Sequence, residues 1–173
     1  ARTKQTLEEM VNTVAGIPLE FSPGKAWNYS VATDVLGYLV QVVSGKPFEQ
    51  FLKDEILEPL GMFDTGFFVP EDKQERFPAC YERRMDKKVV LQDSAETSPY
   101  LEPPTCPSGG GGLASTAGDY LRFCEMMRRG GALDGVRLLS RKTVELMTRN
   151  HLPDDLDLTQ MARGSFSETP YEG

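Results

Sequence analysis

The chain has 173 residues, 39% of them apolar and 26% charged. That size supports one ordinary domain with a hydrophobic core, and that balance excludes a disordered chain. A formal net charge of −7 argues against a nucleic-acid surface, and no apolar run approaches the ~20 residues of a membrane span.

Thr6-Leu7-Glu8-Glu9 reads as a capping box. Leu7, Met10, Val11 and Val14 follow it at helical spacing until Gly16 and Pro18 stop the helix. Residues 21–28 read as a loop in which Pro23-Gly24 suits a type II turn. A second helix is predicted over residues 32–43, with Val35, Leu36, Leu39, Val42 and Val43 as its apolar stripe and Gly45 as its stop. Pro47 suits the first position of a third helix, which would bury Phe48, Phe51, Leu52 and Ile56 and end before Pro59.

The middle of the chain changes character. Residues 77–84 and 87–93, on either side of Met85-Asp86, have the composition of a small β-hairpin. The basic run Arg83, Arg84, Lys87, Lys88 then falls on a solvated hairpin edge rather than on a nucleic-acid site. Residues 94–112 are rich in Pro, Ser, Thr and Gly and end in Ser108-Gly-Gly-Gly-Gly112. Glycines this close to a helix start are expected to let the backbone approach a neighbour closely, not to separate two domains. A helix capped by Ser115 or Thr116 carries Tyr120, Leu121, Phe123, Cys124 and Met127 as far as Gly130-Gly131. A last short helix, capped by Ser140, carries Val144, Leu146 and Met147, and loop is expected after Asn150. No internal repeat is present.

The familiar catalytic signatures are absent: no GxSxG, HExxH, P-loop or GxGxxG. His151 is the only histidine, and although Asp154 and Asp155 follow it, an isolated loop histidine reads as a solvated residue. The DDLD run lacks the glycine and spacing of a calcium loop, so no metal is expected. Cys80, Cys106 and Cys124 are odd in number and widely spaced. They read as reduced thiols and point to a cytoplasmic protein, with a periplasmic or secreted one as the alternative. Ser22-Pro-Gly-Lys25 fits S-x-x-K by letter, but Ser-Lys chemistry needs both side chains on one helical turn, and Pro-Gly favours a different turn. Tyr29 remains. A tyrosine hydroxyl ordinarily titrates near pH ~10, so it serves as a base only beside a positive charge or preorganised donors. The residues alone leave two readings open, a core aromatic and a reacting group.

Residues 18–67, from PLEFSPGKAWNYSVATDVLGYLV to EILEPLGMFDTGF, resemble the serine β-lactamase-like superfamily of class C β-lactamases, DD-peptidases and family VIII carboxylesterases. PSGGGGLASTAGDYLRF, residues 107–123, is similar to that superfamily's glycine-rich approach to a helix. The resemblance implies that Tyr29 belongs to a Y-x-N or Y-S-x motif. Its tyrosine would work with the lysine of an S-x-x-K helix to take the proton of a nucleophilic serine and pass it to the leaving group. It also implies that Ser30, Val31, Ser108, Gly109 and Gly110 bind substrate. Val31 stands where the β-lactamases and peptidases commonly carry Asn. Valine cannot hydrogen-bond a substrate amide, which favours simple esters over β-lactams.

Neither the S-x-x-K helix nor a K-T-G-like or W-G-G-like strand motif is visible. Lys142-Thr143-Val144 lies inside a helical pattern. The chain is therefore expected to be a helical-domain portion of a longer hydrolase, mainly α with one small hairpin, from an α+β parent with a helical domain set against an antiparallel sheet. By itself it is expected to be inactive, with a small ester or β-lactam-like substrate and the rest of its parent as its partners, and no cofactor. A non-catalytic penicillin-binding-like protein of the same fold is the alternative. Residues 1–6, ARTKQT, match the start of the histone H3 tail. Leu7 ends that match and Thr6 is explained as a cap, so coincidence is preferred to an engineered graft.

Overall fold

The computed structural model describes residues 4–26 and 28–156. The expectations for residues 157–173 and for Trp27 lie outside the described residues. The element order is α1 (Leu7–Ala15), α2 (Ala32–Ser44), α3 (Phe48–Leu52), a π-helical turn (Lys53–Leu57), a 3₁₀ turn (Glu71–Arg76), β1 (Cys80–Arg83), β2 (Val89–Asp93), a 3₁₀ turn (Pro99–Leu101), α4 (Ala117–Arg128), β3 (Ala132–Leu133), β4 (Val136–Arg137), α5 (Arg141–Met147) and a 3₁₀ turn (Pro153–Asp155). Among the described residues the segment is mainly α, with two separate antiparallel hairpins where the sequence led to the expectation of one.

Helix starts follow local chemistry. The Thr6 hydroxyl accepts the Glu9 amide at 3.2 Å while the Glu9 carboxylate accepts the Thr6 amide at 2.8 Å, so the capping box is complete. Thr116, not Ser115, caps α4 by accepting the Asp119 amide, and Ser140 caps α5 by accepting the Thr143 amide. Gly45 ends α2 in the left-handed conformation. Pro47 stands one residue outside α3, at its N-cap, because the Gln41 side-chain carbonyl accepts the Phe48 amide and starts the helix there.

Among the described residues two apolar clusters hold these elements. Leu57, Leu60, Met62, Met126 and Leu133 form one; Leu7, Phe48 and Phe67 form the other, and Leu52 packs against both. Leu60 and Met126 are each 1% exposed. Replacing Leu60 with Ala is expected to cost about 2–5 kcal/mol, because the site is closed on all sides and collapses only in part. A chemical denaturation midpoint that does not fall would contradict that packing.

The α2 stripe differs from its sequence expectation. Leu36, Leu39, Val42 and Val43 are 52–79% exposed, and Val35 is open too. The face that packs carries Gly37, which is buried, with Tyr38 and Val40 half-buried beside it. Contact at Gly37 decides the matter, since Phe48 and the backbone of Gly109 reach this point of the helix. On α4 likewise, Met126 is buried while Tyr120, Leu121 and Cys124 face outward. The predicted hairpin is β1–β2, with a register irregularity between Cys80 and Tyr81, and its basic tip is solvated. The hairpin β3–β4 turns at Asp134-Gly135 and seats Leu133 in the first cluster.

Candidate active site

The approach to α2 begins with the predicted turn. The Lys25 amide donates to the Ser22 carbonyl at 3.2 Å, and Gly24 takes φ +80°, as a type II turn requires. Ser22 and Lys25 are exposed on this turn rather than aligned on a helix, so the S-x-x-K letters there make no Ser-Lys pair. Asn28 Nδ2 donates to Glu20 Oε2 at 2.8 Å, across the loop that leads to α2. Tyr29 follows, 54% exposed, and Val31 is the N-cap of α2 without a side-chain cap. One turn into the helix, the Asp34 amide donates to the Val31 carbonyl at 3.0 Å, which places the Asp34 side chain just above the Tyr-Ser-Val segment.

The glycine-rich run lies against this helix start. Gly109 packs so tightly on α2 that a Cβ there would sit 2.1 Å from the Thr33 carbonyl oxygen and 3.1 Å from the Gly37 nitrogen. Only glycine allows that approach. Ser108 Oγ donates to Asp34 Oδ1 at 2.5 Å, and the Gly110 amide donates to Ser108 Oγ at 3.1 Å and to Asp34 Oδ1 at 3.4 Å. The far end of the run is fixed separately. Ala114 pairs with Gly66 through two backbone bonds, and the Asp119 carboxylate accepts the Asp64 amide and the Thr65 hydroxyl at 2.8 and 2.9 Å. Asp64 itself faces Arg76 and Lys73, which hold its carboxyl well below the usual carboxylate range.

Between the two segments lies a cavity of about 410 Å³, lined by Tyr29, Ser30, Val31, Thr33, Asp34, Ser108 and Gly110–Gly112. Of the residues singled out in the sequence, Tyr29, Ser30, Val31, Ser108 and Gly110 meet here, while Gly109 stands behind the wall and braces it. Thr33 and Asp34 were not singled out, because their partners are 74 or more residues away and nothing local marks them. His151 does not line this cavity; its Nε2 donates to the Leu146 carbonyl at 2.6 Å. Burial, with Asp34 as a second cause, pushes the Cys106 thiol up, while Cys80 and Cys124 are exposed. Among the described residues no three His, Cys, Asp or Glu side chains are grouped to hold a metal, and no helix is long and apolar enough to cross a membrane.

The two segments thus present a tyrosine and a glycine-rich backbone to one cavity. The Beta-lactamase family profile matches residues 1–169, and the chain belongs to that family. Protein Rv1367c of Mycobacterium tuberculosis is 40% identical over 158 residues, 91% of this chain and 38% of that protein. Esterase EstB of Burkholderia gladioli is 35% identical over 136 residues, 70% of this chain and 34% of that enzyme. Among solved structures, EstCE1, described as a hydrolase with promiscuous acyltransferase activity, superposes with a TM-score of 0.69 at 27% identity, covering 84% of this chain and 40% of that one. The chain thus spans little more than a third of the length of these curated relatives.

Proposed function

We propose that this chain is the tyrosine-bearing wall of a serine hydrolase that cleaves carboxylic esters through an acyl-enzyme. The observation that carries the reading is the single cavity in which Tyr29, Ser30 and Val31 face Ser108 and Gly110 from a segment 77 residues or more away in sequence. Membership of the Beta-lactamase family and the esterase and hydrolase descriptions of its relatives support it. The open apolar face of α2 supports the view that a further part of a longer protein packs there, since a contiguous exposed patch marks a contact surface.

The nucleophile in this reading is a serine of an S-x-x-K helix outside these residues. As its oxygen attacks the ester carbonyl, its proton passes to the Tyr29 oxygen, which acts with the lysine of that helix as general base. The C–O bond to the alcohol breaks, and Tyr29 returns the proton to the departing alkoxide. In the second half Tyr29 takes a proton from water, hydroxide attacks the acyl carbon, and the serine oxygen is reprotonated. Val31, 42% exposed at the cavity wall, offers apolar surface where an asparagine would grip an amide, and this directs the site toward esters. The test is a comparison of rates on a short-chain p-nitrophenyl ester and on a chromogenic cephalosporin by the full-length protein. Faster ester cleavage is expected. Equal or faster cephalosporin opening would assign it to the β-lactamases or DD-peptidases, and absence of both would assign a binding protein.

A further inference from the structure

Among the described residues Asp34 is the only charged side chain in the cavity wall, and its carboxylate hydrogen bonds there run to the glycine-rich segment. An acidic residue in the first turn of a helix is ordinarily explained by the helix dipole. Here the carboxylate does something more particular. One oxygen, Oδ1, collects the Ser108 hydroxyl at 2.5 Å and the Gly110 amide at 3.4 Å, and Ser108 Oγ in turn accepts that same amide at 3.1 Å. This is a relay from amide to hydroxyl to carboxylate, and its last step is charge-assisted.

The neighbouring glycines show why such a fastening matters. Gly109 touches α2 through backbone alone, and around Gly111 and Gly112 there is nothing for a side chain to meet. A run of four glycines loses more freedom on ordering than any other sequence. Nothing in its own side chains can hold it, so the fixing contacts must come from its ends. Ala114 is tied at one end by its pairing with Gly66; Ser108 is tied at the other by Asp34.

We propose that Asp34 is a positioning residue that latches the Ser108–Gly110 backbone onto the first turn of α2, setting its distance from Tyr29. The proposal rests on the esterase reading for its catalytic consequence and on geometry alone for the latch. It assigns to one carboxylate the alignment of the two walls of the cavity.

The test uses the full-length protein with Asp34→Ala, Asp34→Asn and Ser108→Ala, read by hydrogen–deuterium exchange of peptides covering residues 107–114 and by ester turnover. Asp34→Ala removes the oxygen that accepts both bonds, and the exchange of this segment is expected to rise about tenfold, the scale of one lost charge-assisted bond. Asn keeps an acceptor oxygen in the same place without the charge, so Asp34→Asn is expected to restore slow exchange and most of kcat. Ser108→Ala, which leaves α2 untouched, is expected to loosen the segment as Asp34→Ala does. In Asp34→Ala a fall in kcat of about tenfold with little change in KM is expected, because the tyrosine and the opposite wall no longer align. Unchanged exchange in Asp34→Ala would overturn the latch. Equal loss in Asp34→Asn and Asp34→Ala would also overturn it, by assigning the effect to charge at the helix start. Looser exchange with unchanged kcat would overturn the positioning role. The exchange arm is independent of the esterase reading, so a protein that cleaves no ester still decides the latch.

Discussion

Tyr29→Phe in the full-length protein is expected to lower kcat for ester hydrolysis by about 10² or more, the low end for loss of a general base. The substitution deletes one oxygen and keeps the ring, so the apolar contacts of the helix entry persist. KM is expected to change little, because the lost contact belongs to the transition state rather than to substrate binding. The stability of the protein should also stand, since Tyr29 is more than half exposed and takes no part in either apolar cluster. A variant with near-wild-type kcat would remove Tyr29 from the reaction and return it to a structural aromatic.

The second large effect is expected at Gly109. A methyl group there would meet the Thr33 carbonyl oxygen at 2.1 Å and its carbon at 3.0 Å. Both are backbone atoms within the first turn of α2, and they cannot swing aside as the end of a side chain can. Gly109→Ala is therefore expected to cost about 1–3 kcal/mol or more through overpacking, and to push the glycine-rich wall away from the Tyr29 wall. The measurements are the denaturation midpoint and kcat of the same protein. A loss in both is expected, in contrast to Tyr29→Phe, which should lose only the second. By comparison a Cβ at Gly111 would meet nothing within 4 Å, so Gly111→Ala makes a control that should leave the midpoint near wild type.

What the sequence disclosed, and what it withheld, follows from how far each interaction reaches along the chain. The caps of α1, α4 and α5 were legible because Thr6, Thr116 and Ser140 each bond an amide three residues on. The Pro23-Gly24 turn was legible for the same reason, and its geometry is what disqualifies Ser22 and Lys25 as a catalytic pair. The β3–β4 hairpin has only a faint local mark. Asp134-Gly135 between Ala132-Leu133 and Val136-Arg137 is the usual mark of a two-residue turn, but strands of two residues give almost no alternation to notice. The packed face of α2 was a different matter. Its apolar stripe is plain in the sequence, yet the contact falls on Gly37 because Phe48 and Gly109 arrive there, and no local pattern reports on a partner 72 residues away. The close approach of the glycine-rich run is legible from its own residues, whereas the role expected of Tyr29 comes from a resemblance, since its residues alone leave two readings open. The bond from Ser108 to Asp34 at the start of α2 is one that only the folded chain reveals.

The measurement that bears most directly on the account is the rate at which a fluorophosphonate serine probe adds to the protein, followed by intact mass. Three samples are needed: the full-length protein, its Tyr29→Phe variant and this chain alone. One adduct on the full-length protein, formed about 10² times more slowly in Tyr29→Phe, with none on the isolated chain, is the predicted result. It would place the nucleophile outside these residues and its activating base at Tyr29. Labelling of the isolated chain, or equal rates with and without the tyrosine hydroxyl, would contradict the account and redirect the search for the nucleophile to Ser22 or Ser108.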